Sequence, residues 1–244
     1  MSTVLITGGG SGIGAGLAAA FHAKGAQVIV AGRRRARLEE VAAQCPGMAV
    51  EVVDVGKEEE IVSFAERVLS RWPDLDTLIN NAGIQRTLDF RAPLAPAAVV
   101  EEVDVNLKGL MLVTNAFLPH LLARPNARLI NVGSGLAYVP LAAAPVYSAT
   151  KAAVHSFSLS LRRQLAGTSV SVVELIPPAV DTELHRGQSR KPPRTMPLED
   201  FVKAAMKGLD AGRSEVRVGL ADVLALGSRV APSFFLRMLD KPRS

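Results

Sequence analysis

The feature that most restricts what this chain can fold into is a glycine-rich turn set between two contrasting runs near its start. Val4-Leu5-Ile6-Thr7 is apolar and partly β-branched, Thr7-Gly8-Gly9-Gly10-Ser11-Gly12-Ile13-Gly14 follows, and Gly14 to Lys24 has helical period. Glycines there let the backbone turn sharply and come close to a pyrophosphate, whose charge the next helix N-terminus favours. Taken alone, the turn also fits a plain tight connection. The same strand-then-helix alternation runs on through the chain. Strands are expected at Gln27 to Ala31, Met48 to Val53, Thr77 to Asn80, Arg128 to Val132 and Val170 to Ile176. Between them lie helices through Arg37, Leu38 and Val41, from Glu58 to Ser70, from Val99 to Leu122, and from Lys151 to Leu165. This pattern predicts an α/β fold, a doubly wound parallel sheet with helices on both faces. A length of 244 residues with 48% hydrophobic side chains suits a single domain over 1–244. From Pro177 to Pro197 the period breaks down into Pro, Arg, Lys, Ser and Gln, which predicts a substrate flap at 183–197. A helix from Leu198 to Leu209, a short strand near Val216 and a helical tail complete the chain.

A second nucleotide signal lies at the end of the second strand. Enzymes that prefer NAD place a carboxylate there to bind the adenosine 2′-hydroxyl. Here the strand ends Val30-Ala31-Gly32-Arg33-Arg34, with no carboxylate in that stretch. A 2′-phosphate gains charge-assisted hydrogen bonds from arginine that a hydroxyl does not. Arg33, with help from Arg34, is therefore expected to select NADP(H), with NAD(H) as the alternative cofactor. A solvated basic helix start is the plain alternative for this pair.

Tyr147 and Lys151 stand four residues apart, which on a helix puts both on one face. A phenol titrates near ~10 unperturbed, and a neighbouring cation is expected to lower it toward the range useful in acid–base catalysis. Ser134 follows the strand Arg128 to Val132, at the sheet edge where ligands of such folds bind, and its hydroxyl is expected at the same carbonyl oxygen. Each of these alone is weak: a surface helix meets the Tyr-Lys spacing, and a turn often carries a serine.

In combination they become specific. The sequence resembles the short-chain dehydrogenase/reductase superfamily in its short form, from about Thr3 to Val218. Thr7, Gly8, Gly12 and Gly14 match the family's glycine motif, Asn80-Asn81-Ala82-Gly83 its Asn-Asn-Ala-Gly segment, and Asn106, Ser134, Tyr147 and Lys151 its catalytic set. The resemblance implies a Rossmann-type sheet and hydride transfer between a nicotinamide cofactor and a small-molecule carbonyl or alcohol. It also implies that Ser11 and Ile13 lie on the cofactor with the glycines. Asp54 and Val55 would flank the adenine, and Asn81, Ala82 and Gly83 would support the adenosine ribose. Asn106 would kink a helix and hold a relay water, Lys151 would bind the nicotinamide ribose, and Pro177, Val180 and Thr182 would face the carboxamide. Two residues depart from the pattern: Pro178 replaces the usual glycine, removing a backbone donor, and Gly133 stands where many relatives have a second serine.

Composition excludes more than it assigns. The net charge of +5 comes from 28 Lys and Arg against 23 Asp and Glu. The basic residues are dense only at Arg33 to Arg35 and at Arg186 to Arg194, and aromatics are 5%, so no nucleic-acid partner is expected. Four histidines and one cysteine show no ligand spacing, so no metal is expected. Cys45 alone forms no intrachain disulfide and suits a reducing cytoplasm, and the first strand leaves no room for a signal peptide. The apolar stretch Val223 to Leu239 is broken by Ser228, Arg229, Pro232 and Arg237, so no membrane span is expected. Leu136, Val139, Leu141 and Val146 hint at an apolar pocket, while His185, Arg186, Arg190, Lys191 and Arg194 could meet an acidic substrate. By the resemblance, the protein is a homodimer or homotetramer packed through the helices that start near Val99 and Lys151. Two rival functions are a cofactor-binding regulator with little turnover, and an isomerase or dehydratase of the longer relatives.

Overall fold

A computed structural model describes residues 2–185 and 195–240. Its frame is one sheet of seven parallel strands in the order β3-β2-β1-β4-β5-β6-β7. In chain order these are β1 Thr3–Thr7, β2 Gln27–Gly32, β3 Ala49–Val52, β4 Leu75–Asn80, β5 Ala127–Val132, β6 Val170–Ile176 and β7 Glu215–Arg217. The helices are α1 Gly12–Ala23, α2 Arg35–Ala43, α3 Glu58–Arg71, α4 Pro96–Val103, α5 Gly109–Leu122, α6 Pro145–Gln164, α7 Leu198–Asp210, α8 Leu220–Val230 and α9 Pro232–Asp240.

The strands read as apolar runs because parallel strands are buried on both faces. Alternate residues feed two cores. Val4, Ile6, Val28 and Val30 pack with Leu17 and Phe21 of α1 and Phe201 of α7. Leu5, Ile29, Leu78 and Leu129 pack with Phe64 of α3, Phe117 of α5 and Leu161 of α6. Strand order reverses between β1 and β4, and the loops leaving their C-terminal ends part there to open a crevice.

Two element boundaries differ from the sequence expectation in ways that matter. α6 begins at Pro145, so Tyr147 lies inside it, whereas the Ala/Ser/Thr run ahead of Lys151 masks the start. Proline at the first helical position costs no hydrogen bond and presets φ, which is why the helix can start there. The expected long helix at Val99 to Leu122 is α4 and α5 joined by a π-helical turn at Asp104–Lys108. Of the expected flap, Glu183–His185 forms a 3-10 turn and Met196 bridges to Val180. Arg186, Arg190, Lys191 and Arg194 lie outside the described residues. No helix among the described residues is long and apolar enough to cross a membrane.

Candidate active site

The crevice at the strand ends is a cleft of about 1440 Å³. Its walls bring together most of the residues the sequence singles out, from Gly8 and Ser11 at one end to Ser134, Tyr147 and Lys151 at the other. The glycine loop forms the floor. Gly8 has φ +65, and a Cβ there would fall 2.7 Å from Ala82 Cα, so only glycine fits. Thr7 and Asn81 lock this loop to the end of β4. Thr7 Oγ1 accepts from the backbone N–H of Asn81 at 3.0 Å and of Ala82 at 3.2 Å. Asn81 Nδ2 donates to the carbonyls of Thr7 at 3.0 Å and Gly8 at 3.1 Å. Ser11, Gly12 and Ile13 then line the cleft ahead of α1, whose free N–H groups suit a pyrophosphate. Gly14 is buried beneath them, where a Cβ would meet Gly8 O, and serves the loop rather than the cleft wall.

Arginines gather where β2 ends. Arg34 Nη2 lies 3.4 Å from Ser11 Oγ and 3.6 Å from Glu183, and Arg37 Nη2 lies 3.4 Å from Glu183. Arg33 lies 3.2 Å from Glu101 and 3.7 Å from Asp54. Arg37 is a cleft residue that sequence reasoning passed over; it sits one helical turn beyond Arg33, which was the available signal. Together these cations suit a dianion bound beside Ser11. Asp54 and Val55 line the cleft nearby, with Asp54 held by the Gly56 N–H at 3.0 Å. Ala82, Gly83, Pro177, Val180 and Thr182 continue the wall, and Thr182 faces Gly12 across it. The Gly8–Ala82 packing, the helix N-terminus and the arginine group form a donor set that fits a phosphorylated dinucleotide.

At the other end Tyr147 and Lys151 share one face of α6, with the Lys151 ammonium 5.6 Å from the Tyr147 ring centre. Lys151 Nζ donates to Val132 O at 2.7 Å, at the last residue of β5. The Ser134 hydroxyl hydrogen-bonds the Tyr147 phenol and also accepts from Leu136 N–H at 3.1 Å. Asn106 sits in the π-helical turn, wholly buried. Its amide makes a reciprocal pair with the Ile84 backbone, 2.8 Å in each direction, and reaches Thr150 Oγ1 at 3.3 Å. Below the site, Asn80 Nδ2 donates to Thr114 at 2.9 Å and Asn131 at 3.0 Å, and Asn131 donates to Ser158 at 3.0 Å. This chain of amides ties α5, β4, β5 and α6 together just under the reacting groups.

The expected acidification of Tyr147 by Lys151 is not observed. Burial pushes the phenol up to about 12, outweighing the Ser134 hydrogen bond that lowers it, with the Glu102 carboxyl adding to the rise. Burial likewise pushes the Lys151 amine down to about 8. Both groups are taken out of water, and for Lys151 this outweighs the Glu174 charge that raises it. Sequence reasoning also missed Glu102 and Glu174, two fully buried carboxyls that sit within otherwise apolar-looking elements. Burial raises the Glu102 carboxyl, while Arg86 N–H holds its Oε1 at 3.1 Å.

Leu136 and Leu141 line the cleft as expected, but Val139 is packed inside and Val146 faces the groove against α4 instead. Their place is taken by Leu220 and Leu224 of α8 and by Met238 of α9. Among the described residues no group of three His, Cys, Asp or Glu could hold a metal.

The family model for short chain dehydrogenase matches residues 2–193. The chain belongs to the short-chain dehydrogenase family. Among curated relatives, an uncharacterised oxidoreductase of Bacillus subtilis is 42% identical over 219 residues, 88% of this chain and 87% of the relative. Among solved structures, a short-chain dehydrogenase from Burkholderia cenocepacia in complex with NADP is 31% identical, with TM-score 0.85, over 99% of this chain and 98% of that one. A 3-ketoacyl-(acyl-carrier-protein) reductase from Brucella melitensis complexed with NADH is also 31% identical, with TM-score 0.79, over 85% and 90%. Ser134, Tyr147 and Lys151 line the inner end of the cleft, and Asn106 lies behind its wall, paired with the backbone of Ile84.

Proposed function

We propose that this protein is an NADP(H)-dependent oxidoreductase that interconverts a carbonyl and a secondary alcohol. The observation that carries the reading is the convergence of Ser134, Tyr147 and Lys151 at one end of a cleft whose other end offers three arginines. When bound, the nicotinamide supplies or accepts the hydride. The chain's own residues do the rest. Ser134 and Tyr147 hold the carbonyl oxygen, and Tyr147 gives it a proton as negative charge develops there. Burial keeps the Tyr147 proton on at neutral pH, so the free site holds the proton that carbonyl reduction needs. Lys151 orients the nicotinamide ribose and, with water near Asn106, returns a proton to Tyr147. Arg33, Arg34 and Arg37 favour the 2′-phosphate of NADP(H) over NAD(H). The solved relatives named above bind NADP in one case and NADH in the other, so the arginines carry this preference.

The wall made by Leu136, Leu141, Leu220, Leu224 and Met238 suits a carbonyl with apolar substituents. An apolar groove between α4 and α6, lined by Phe90, Val99, Val103, Pro145, Val146 and Ala149, is the surface through which copies associate as a dimer or tetramer.

The test is to follow NADPH fluorescence and absorbance with the protein and a panel of aliphatic and aryl ketones. Tight NADPH binding and alcohol formed in step with NADPH consumed are expected. NADPH binding without turnover on any carbonyl would instead favour a cofactor-binding regulator.

A further inference from the structure

Period-two alternation along β6 points Val170, Val172 and Glu174 to the α6 side of the sheet. Two of these are apolar core and the third is a carboxyl with no solvent exposure. Such a charge is costly to bury unless something answers it. His155 answers one oxygen: its Nδ1 lies 2.6 Å from Glu174 Oε2. The other oxygen, Oε1, is buried without a hydrogen-bond partner. It packs against the backbone of Gly133, where a Cβ would lie 2.4 Å away. The family's more usual serine at that position could not coexist with Glu174 as placed here.

The pair is close to the catalytic residues in the fold. Tyr147, Lys151 and His155 are spaced by four, so they lie on successive turns of one face of α6. Lys151 seats its ammonium on Val132 O, and Gly133, against which Glu174 packs, is the next residue. Ammonium and carboxylate therefore flank the same two residues at the end of β5.

We propose that Glu174, clamped by His155, is a positioning residue for Lys151: its negative charge holds the ammonium at the end of β5, and Gly133 is the space it requires. The inference rests on Lys151 working beside Tyr147, as proposed above. Burial drives the Lys151 amine toward its neutral form, and Glu174 is the group that opposes this. The other charged and titratable groups near the pair are Tyr138, Arg162, Glu215, Arg217 and Asp222. The Tyr138 ring meets His155 edge-on at 4.9 Å, and its phenol is pushed up to about 12, first by burial and then by Glu174 and Glu215. Glu215 lies 3.5 Å from Arg162 and 3.8 Å from Arg217, and Arg217 lies 3.0 Å from Asp222. Glu215, Arg162, Arg217 and Asp222 are thus largely matched among themselves, while Glu174 acts on His155, Tyr138 and Lys151.

The experiment titrates the Lys151 amine directly, by NMR of protein labelled with carbon-13 at lysine Cε, the resonance being identified by its loss in Lys151→Met. Glu174→Gln is expected to lower the midpoint by about one pH unit, and Glu174→Asp, which keeps the charge, to restore most of it. Should Glu174→Gln fold poorly, the double replacement Glu174→Met with His155→Phe keeps the core filled and is expected to give the same fall. A midpoint unchanged in either neutral variant overturns the proposal. In the wild type and the same variants, the alkaline limb of kcat for ketone reduction should move down with the amine while NADPH affinity stays within a few-fold. An amine that moves without the limb overturns the catalytic half. If the wild type reduces no carbonyl, the reductase reading fails by itself, and the titration still decides whether Glu174 governs Lys151.

Discussion

Gly133 and Glu174 share one volume, since a Cβ on the first would lie 2.4 Å from Oε1 of the second. Gly133→Ser is therefore expected to cost about 1–3 kcal/mol, as overpacking of a filled interior does. Adding Glu174→Ala should return part of that loss, because the two changes touch the same space. Urea denaturation of the two single variants and the double variant checks this; strict additivity would contradict it. At the other end of the cleft, Arg33→Ala with Arg34→Ala is expected to cut the preference for NADPH over NADH by ten- to a hundredfold. That follows from a net loss of one hydrogen bond to a charged group, worth about 1.5–3 kcal/mol, while Arg37 remains. Paired dissociation constants measure it, and an unmoved ratio would break the assignment. Single residues were legible in the sequence where their chemistry needs few neighbours: the glycine loop, the arginines, and the Tyr147–Lys151 spacing. They were not legible where environment decides. The phenol was expected to be acidified, but burial raises it. Glu174 passed as a strand residue because its partners, His155 and Gly133, lie 19 and 41 positions away in the sequence.

The elements place these groups through a few shared joints. The π-helical turn at Asp104–Lys108 brings Asn106 inward, where its amide closes both hydrogen bonds with Ile84. Asn106→Ala would take the side-chain partner from the partly buried Ile84 N–H and C=O, at about 1–3 kcal/mol in all. A drop in thermal midpoint accompanied by lost turnover is expected; a variant as stable as the wild type would place the joint elsewhere. The contact between α6 and β6 through His155 and Glu174 gives a pH signature. The Glu174 hydrogen bond raises the His155 imidazole above its ordinary value. Its contribution to stability is thus fully present below about 6.5, the unfolded value, and is lost as pH rises through the raised folded value. The stability gap between wild type and His155→Gln should be widest near pH 6 and narrow on the alkaline side; a gap that widens with pH would contradict it. Most strands could be read from apolar runs, because parallel strands are buried on both faces. The start of α6 could not, since Pro145 and a Ser/Ala/Thr run carry little apolar period, and the π-turn has no period of its own.

For the whole molecule, the strand reversal between β1 and β4 creates one crevice, and residues from six of the seven strand ends or the loops after them contribute to its walls. That arrangement followed from the alternation of strands and helices. The contribution of α8 and α9 did not, because a helical tail can pack in many places until the cleft exists to receive it. The groove between α4 and α6 leaves Phe90 63% and Val103 37% exposed in the single chain. Val103→Glu is expected to shift the protein toward monomer in sedimentation velocity, and a wild type already monomeric would refute association there. The claim that organises all of this is proton donation by one buried phenol beside a bound dinucleotide. Its most direct test compares Tyr147→Phe with wild type in ketone-dependent NADPH consumption, with NADPH affinity measured on the same samples. The expected result is a fall in kcat of roughly a hundred- to ten-thousandfold with affinity changed only a few-fold. A phenylalanine variant that binds NADPH and reduces the ketone at the wild-type rate would contradict it.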